Sequence, residues 1–195
     1  MTVAQDPDDG IVPRLETSRL LLRGHRRSDF TESAAMWADP KVVVQISGTP
    51  SSREDSWSRL LRYRGHWSWL GFGYWVVEAK EGGRFLGEVG FADYRRAMRP
   101  SLEGMPESGW VLKSAEHGKG FATEAVSRIL DWAGGRPGFE KTVCILAPEH
   151  VASIAVARKV GYAEETMGTY RGQPTLVMSR SDPAAPDVTG SMPAR

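Results

Sequence analysis

The stretch with the clearest chemical signature is a glycine-containing turn between a predicted strand and a predicted helix, which reads EHGKGFATEA. Gly118 and Gly120 carry no Cβ atom, so they can adopt positive φ and let an anion approach the backbone closely. The first amides of the following helix lack an intrahelical acceptor, and the positive end of the helix dipole lies behind them. This arrangement predicts a site for phosphate or pyrophosphate, to which Lys113, Lys119 and His117 would add positive charge.

Two familiar phosphate-binding motifs do not fit this loop. A Walker loop requires Ser or Thr directly after its Gly-Lys pair, whereas Gly118-Lys119 is followed by Gly120. The dinucleotide-binding fingerprint requires a third small residue at position 123 and an acidic residue about 20 residues later. Position 123 is Thr, and the next predicted strand ends in Leu146-Ala147-Pro148. Two other interpretations stay open, which are a plain strand-to-helix connection and a nucleotide-binding domain of a different fold.

The elements that must position the loop follow from hydrophobic periodicity and turn residues. Apolar residues recur at helical spacing from Gly120 to Ala133, which predicts a helix directly after the loop. Strand-helix-strand crossovers occur only in the second half of the chain, so a mixed sheet is favoured over a fully parallel one. We predict strands within 14–25, 74–77, 85–91, 108–112, 141–146, 163–170 and 173–179, and helices within 28–39, 51–69, 120–133 and 151–160.

The composition is that of a globular protein, with 41% hydrophobic and 25% charged residues among 195. Twenty-five Lys and Arg against 24 Asp and Glu give a formal charge of +1, which argues against general binding to nucleic acid or to an anionic membrane. No apolar run is long enough to span a membrane, and the first ten residues lack the apolar core of a signal peptide. We therefore expect a cytoplasmic protein.

Cysteine and histidine usage gives no sign of a metal site. Cys144 is the single cysteine and lies in an apolar run, which favours a small buried hydrophobic side chain over a reactive thiol. His25 and His66 are not spaced as metal ligands, and we expect no metal. The polar ends predict flexible segments at 1–12 and 181–195, which leave a single domain over 13–180.

Four stretches of the chain resemble the GNAT superfamily of N-acetyltransferases, in its RimJ/RimL-like branch. The loop looks like the family's acetyl-CoA loop, whose core motif Gln/Arg-x-x-Gly-x-Gly/Ala maps onto His117, Gly120 and Ala122. The other stretches resemble the family's first strand (15–23), its fourth strand (107–112) and its motif of fifth strand and fourth helix (149–153 and 158–162). The resemblance spans residues 14–180, with the four motifs in the family's order.

The resemblance implies an α/β (α+β) fold with a mixed, mostly antiparallel twisted sheet of about six to seven strands, about four flanking helices and splayed central parallel strands. It implies acetyl-CoA as the acetyl donor, with backbone amides around the pyrophosphate and one strand pairing with the pantetheine arm. The residues implied to bind it are Trp110, Val111, Leu112, His117, Gly118, Lys119, Gly120, Phe121, Ala122, Thr123, His150 and Ser153.

The catalytic candidates are Glu107 and Ser153. Glu107 begins the strand that leads into the loop and could act as a base directly or through water, or it could be a solvated glutamate at the rim. Many GNAT enzymes carry a tyrosine acid on the fourth helix, where this chain has Ala157. The resemblance then favours Ser153 for the leaving thiolate, although Ser153 could equally cap the first turn of its helix. His150 replaces a family Asn that helps to hold pantetheine, and neutral imidazole can still donate or accept one hydrogen bond.

We therefore expect an N-acetyltransferase that moves acetyl from acetyl-CoA to an amine by direct attack on the thioester. The acceptor is either a protein N-terminus or a small-molecule amine, and the sequence does not decide between them. The substitutions at His117 and His150 and the missing tyrosine leave one alternative, a catalytically weak or inactive CoA-binding module with a regulatory or interaction role. A homodimer is compatible with the sequence, because two-fold dimers are common.

Overall fold

The computed structural model describes residues 10–183, and within this range the chain forms one mixed sheet with helices on both faces. The strands are β1 (Leu15–Glu16), β2 (Leu20–Arg23), β3 (Tyr74–Ala79), β4 (Phe85–Ala92), β5 (Met98–Arg99), β6 (Glu107–Leu112), β7 (Lys141–Leu146), β8 (Ala163–Tyr170) and β9 (Gln173–Ser181). The helices are α1 (Phe30–Ala38), α2 (Pro40–Val43), α3 (Arg53–Leu70), α4 (Phe121–Ala133) and α5 (Val151–Lys159).

The ends of the long helix α3 are set by local sequence. Ser52 and Asp55 form a capping box, in which the Asp55 amide donates to Ser52 Oγ at 3.0 Å and the Ser52 amide donates to Asp55 Oδ2 at 3.0 Å. Gly71 ends the helix with φ of +73°, a left-handed conformation that glycine adopts without a steric penalty. Both ends lie close to the boundaries that the sequence predicts.

The sheet order is β1-β2-β3-β4-β6-β7-β9-β8-β5. Each neighbouring pair is antiparallel except β6 and β7, which run parallel and are connected through α4. This crossover places the chain's loop-to-helix segment at the carboxyl end of β6. The predicted mixed, mostly antiparallel architecture is confirmed.

Helices pack on the two faces of the sheet through separate apolar layers. Ile129 of α4 and Cys144 of β7 belong to the layer under α4 and α5. Met36 of α1 and Val111 of β6 belong to the layer on the opposite face. Because alternate residues of a strand face opposite sides, Leu112 packs with the first layer and its neighbour Val111 with the second.

The sequence prediction differs from the structure in element number and in boundaries. The sheet has nine strands within residues 10–183 because β1 and β5 add two residues each, and the four-residue helix α2 is a fifth helix; segments this short carry no periodicity. The predicted tail begins too early, since Ser181 belongs to β9 and Asp182 Oδ2 accepts from the Gly135 amide at 2.7 Å. At the other end Val12 packs against the apolar core, whereas the predicted flexible residues 1–9 and 184–195 lie outside the described range.

Candidate functional site

The two parallel strands at the centre of the sheet diverge after a single residue pair. In the described chain, β6 and β7 pair only where Glu107 lies opposite Val143, and the Val143 amide donates to Pro106 O at 3.1 Å. In contrast, β6 pairs with β4 along its whole length, and β7 does so with β9. A gap therefore opens between β6 and β7 toward their carboxyl ends.

The backbone of β6 presents hydrogen-bonding groups to this gap. The Lys113 amide donates to Leu86 O on the β4 side at 2.9 Å, and backbone groups alternate between the two edges of a strand. Ser108, Trp110 and Leu112 therefore direct their amide and carbonyl groups toward β7. Such an edge can accept an extended ligand as if it were an added strand.

The loop after β6 has the conformation that its glycines predict. Gly118 and Gly120 have φ of +76° and +80°, and a Cβ atom on Gly118 would meet nothing within 4 Å. The Glu124 amide donates to Gly120 O at 3.1 Å as the first hydrogen bond of α4, so the amides of residues 121–123 precede the helical ladder. These amides and the open space over Gly118 form the surface that an anion requires.

A contact from the start of the sheet fixes this loop. Glu124 accepts hydrogen bonds from Thr17 Oγ1 at 2.6 Å and from Arg19 Nε at 2.6 Å. The Arg19 guanidinium also donates to Lys119 O at 3.0 Å and lies 4.5 Å from the centroid of the Phe121 ring. Burial alone would raise the pKa of Glu124, but the hydrogen bonds from Thr17 and Arg19 outweigh it and lower the pKa.

The lysines near the loop are paired with carboxylates. Lys113 pairs with Glu32, and Lys119 Nζ lies 3.1 Å from Glu116 Oε2. Glu116 is buried and also binds Arg84. Burial alone would raise the pKa of Glu116, but the hydrogen bonds from Lys119 and Arg84 outweigh this effect and lower the pKa. Because these charges are already compensated, the backbone amides and the helix dipole are the main source of attraction for an anion.

Three of the polar candidates meet at the mouth of the gap. His117 Nε2 lies 3.0 Å from Leu112 O, and since a carbonyl only accepts, Nε2 carries the proton. Across the gap, His150 Nε2 and Ser153 Oγ are 3.3 Å apart, and Ser153 is buried. Burial and the nearby His117 lower the pKa of His150, so His150 is neutral near pH 7.

The Glu107 carboxylate is held by an arginine that sequence reasoning did not single out. Arg96 Nε lies 2.7 Å from Glu107 Oε2, and Arg96 Nη2 lies 2.8 Å from Oε1. The guanidinium also contacts the Tyr94 and Tyr170 rings, at 4.4 Å and 4.9 Å from their centroids. Burial disfavours the charge of Arg96, but the bonds to Glu107 outweigh it and raise its pKa.

A match to a family model decides the identity of this fold. Residues 19–163 match the model described as an acetyltransferase (GNAT) domain. The chain belongs to the GNAT acetyltransferase family. Acetyl transfer from acetyl-CoA is the activity of this family, and the sheet with diverging β6 and β7 is its fold.

Comparisons with individual proteins agree with this assignment. The chain is 28% identical to an uncharacterized protein, YkkB of Bacillus subtilis, over 76% of this chain and 84% of that protein. An acetyltransferase structure from Agrobacterium tumefaciens has a TM-score of 0.74 at 25% identity and covers 86% of this chain and 94% of that chain. The structure of RimL, a ribosomal L7/L12 α-N-protein acetyltransferase in complex with CoA, has a TM-score of 0.72 at 14% identity and covers 89% of this chain and 100% of that chain. At this identity the likeness shows the fold alone.

Other features of this GNAT domain concern residues that chemistry or sequence singled out. Ala157 is fully buried in the core. Burial and the nearby Glu107 raise the pKa of Cys144 to about 12, so its thiol stays protonated near pH 7.

Among residues 10–183, no group of three or more His, Cys, Asp or Glu residues is placed to hold a metal ion. In the same range no helix is both long and apolar enough to cross a membrane.

The sequence singled out the loop but not the groups that support it. Arg19 lies in a stretch whose only sequence signal is its resemblance to the first strand of the GNAT family. Arg96 lies in the connection between β4 and β6. Arg19 contacts the site from a position 100 residues away along the chain, and Arg96 contacts it from an irregular connection 11 residues before Glu107. The sequence marks Arg19 and Arg96 only as charged residues near a predicted strand end, and such residues are too common to identify these two as part of the site.

Proposed function

We propose that the protein is an N-acetyltransferase in which an amine attacks the thioester of acetyl-CoA directly. The observation that carries the proposal is the continuity of the open β6 edge with the glycine loop. One strand thereby offers main-chain partners for an extended arm and then, at its end, a cradle for a diphosphate. When bound, acetyl-CoA supplies an activated acetyl group.

The chain's own residues fit that cofactor. The His117 amide already donates to Ser114 O at 3.3 Å, so the backbone amides from Gly118 to Thr123 bind the pyrophosphate. The edge groups of Trp110 and its neighbours pair with pantetheine. The His117 ring already donates to the Leu112 carbonyl, so it fixes the end of this edge. His150 supplies one neutral hydrogen-bonding group in place of the amide that the family's asparagine provides.

The Arg96–Glu107 pair favours an α-amine as the acceptor. A lysine-type amine with a pKa of about 10.4 is about one part in a thousand neutral near pH 7.4, a handicap of about 4 kcal/mol. An α-amine with a pKa of about 7.7–8.0 loses under about 1 kcal/mol for the same reason. Arg96 already binds both oxygens of Glu107, so a proton taken up by Glu107 would compete with the guanidinium. Glu107 is therefore a poor base, and an acceptor that is already largely neutral is favoured. The acceptor class is therefore a protein N-terminus or a small molecule with an α-amine.

Ser153 serves the leaving thiolate in this proposal. A thiol with a pKa of about 8.5 is a fair leaving group, so a hydrogen bond to the sulfur is sufficient help. The Ser153 hydroxyl lies beside the gap with its oxygen near His150 Nε2, which restricts the direction in which the hydroxyl proton points.

A ligand panel with thermal unfolding and thiol detection tests the proposal. Acetyl-CoA at about 100 times its dissociation constant should add about 2.7 kcal/mol of stability, whereas ATP and NAD should not. Amines with an α-amino group should then release free CoA faster than matched amines of the lysine type. Stabilisation by acetyl-CoA without thiol release from any amine would support the inactive binding module instead, and stabilisation by NAD alone would contradict the fold-based assignment.

The assignment of Glu107 is tested by Glu107→Gln. We expect lower turnover with acetyl-CoA affinity close to wild type, because Glu107 lies at the base of the gap and away from the loop. A parallel Arg96→Lys variant keeps a positive charge beside the carboxylate but removes the two-point geometry. Wild-type rates for Glu107→Gln from about pH 6 to about pH 8 would exclude a role for the carboxylate in holding the acceptor amine.

A further inference from the structure

Tyr74, the first residue of β3, lies across two neighbouring strands. It is paired with Gly90 of β4, which is paired in turn with Gly109 of β6. A Cβ atom on Gly90 would lie 2.8 Å from Tyr74 Cγ, and one on Gly109 would lie 2.0 Å from the Tyr74 hydroxyl oxygen. Two glycines in register therefore make room for one tyrosine ring and its hydroxyl.

This placement brings the Tyr74 hydroxyl to the start of the gap. Gly109 lies two residues beyond Glu107, where the pairing of β6 with β7 has ended. Glu107 and Gly109 face the same side of the sheet because side chains alternate along a strand. The hydroxyl and the Glu107 carboxylate are thus neighbours on the face that lies opposite α4 and α5.

The surroundings of Tyr74 fix its ring and keep it neutral. The ring stacks on Tyr63 with 4.4 Å between centroids and 9° between planes. Its hydroxyl hydrogen-bonds the Tyr94 hydroxyl. Burial, followed by the charges of Tyr94 and Glu107, raises the pKa of Tyr74 well above its usual value. A phenol of this kind does not give its proton to a thiolate but can accept one hydrogen bond while it donates another.

We propose that Tyr74 is a catalytic residue of the acceptor site, whose hydroxyl oxygen accepts a hydrogen bond from the attacking amine while it donates to Tyr94. The inference rests on the proposed N-acetyltransferase function. An amine offers N–H donors to the hydroxyl oxygen and to the Glu107 carboxylate, and two acceptors on one face orient the nitrogen lone pair toward the gap. No proton leaves Tyr74 in this role.

Tyr74→Phe tests the role, with Tyr63→Phe as the matched control because it removes a hydroxyl from the other ring of the stack. With the α-amine that wild type acetylates fastest, Tyr74→Phe should lose roughly 10- to 100-fold in turnover. Its stabilisation by acetyl-CoA should equal that of wild type, and its pH–rate profile should keep its shape. Tyr63→Phe should keep turnover within about 3-fold.

The outcomes separate this inference from the function on which it rests. Equal turnover of Tyr74→Phe and wild type, with acetyl-CoA binding retained in both, overturns the role of Tyr74 and leaves the function intact. A change in the shape of the pH–rate profile also overturns it, because the hydroxyl would then titrate. Wild-type protein that neither binds acetyl-CoA nor turns over any amine overturns the function and this inference together.

A double-mutant cycle tests the geometry without reference to activity. Gly109→Ala should lower the melting temperature of wild type, because the new methyl group collides with the Tyr74 hydroxyl. The same change should cost less in Tyr74→Phe, where the nearest ring atom lies 3.1 Å from the new carbon. Equal losses in the two backgrounds would show that the hydroxyl does not lie over Gly109.

Discussion

At the scale of single residues, the mouth of the gap combines two histidines whose side chains make different contacts. His117 donates to a backbone carbonyl of β6 and so belongs to the strand edge. His150 instead lies beside Ser153 and is half-buried, and its folded environment favours the neutral ring. Burial, followed by the charge of the nearby His117, lowers the pKa of His150.

The lowered pKa of His150 makes folding stability depend on pH. A histidine whose pKa is lower in the folded than in the unfolded chain contributes stability that is complete above the ordinary value of 6.5 and is lost as the pH falls below it. His150→Asn should therefore lose less stability than wild type between about pH 7.5 and about pH 5.5, as measured by urea unfolding. An identical loss in both proteins would contradict this account, although His66, whose pKa is also lowered, contributes in each.

The chain provides a matched pair of glycines for testing the anion cradle. Gly118 and Gly135 have φ of +76° and +71°, and at both positions a Cβ atom would meet nothing within 4 Å. Alanine at either position should cost about 1–2 kcal/mol of unfolding free energy through backbone strain. Only Gly118→Ala should weaken acetyl-CoA binding, because its methyl group fills the space over the loop. Titration calorimetry that finds equal affinities for the two variants would exclude Gly118 from the phosphate site.

At the scale of elements, helix α4 depends on the turn between β1 and β2 for its orientation. The Glu124 side chain is 18% exposed and is bound by Thr17 and Arg19. Arg19 in turn holds the Lys119 carbonyl in the loop. The conformation of the loop is therefore determined by its own glycines and also by a contact with the start of the sheet.

Loss of the Glu124 contacts should lower the free energy of unfolding more than loss of an exposed ion pair does. We expect Glu124→Ala to lower the unfolding free energy by about 1–3 kcal/mol and to weaken acetyl-CoA binding, because hydrogen bonds to a charged group are lost and the loop is released. Glu32→Ala removes a helical glutamate that is 50% exposed and pairs with Lys113, so its effect should stay within about 1 kcal/mol. Equal effects in urea unfolding would mean that Glu124 does not anchor the loop.

A structural feature can be predicted from the sequence when the residues that determine it lie close together in the chain. The loop and α4 are local: the glycines and the apolar spacing after them determine both, and both are found where the sequence places them. The gap between β6 and β7 was expected only through resemblance. The contact of Tyr74 with Gly109 follows from strand order and register, and that of Arg96 with Glu107 follows from the path of the connection after β4. Local patterns in one sequence encode neither.

At the scale of the whole molecule, the sheet consists of two antiparallel halves. β1 to β4 and β6 form one half, β5 and β7 to β9 form the other, and the pair Glu107–Val143 joins them. The α4 crossover covers one face of the junction, so the halves can diverge without exposing that core. The arrangement leaves an open strand edge inside the molecule, with the proposed anion site at one end and the Glu107 and Tyr74 groups at the other.

A crystal structure of the protein with acetyl-CoA tests this account most directly. It should place the pyrophosphate within hydrogen-bond distance of the amides from Gly118 to Thr123, with the pantetheine arm along Ser108 and Trp110 and the thioester near the Tyr74 hydroxyl. A cofactor bound away from the β6 edge, or strands β6 and β7 closed against each other in the complex, would contradict it.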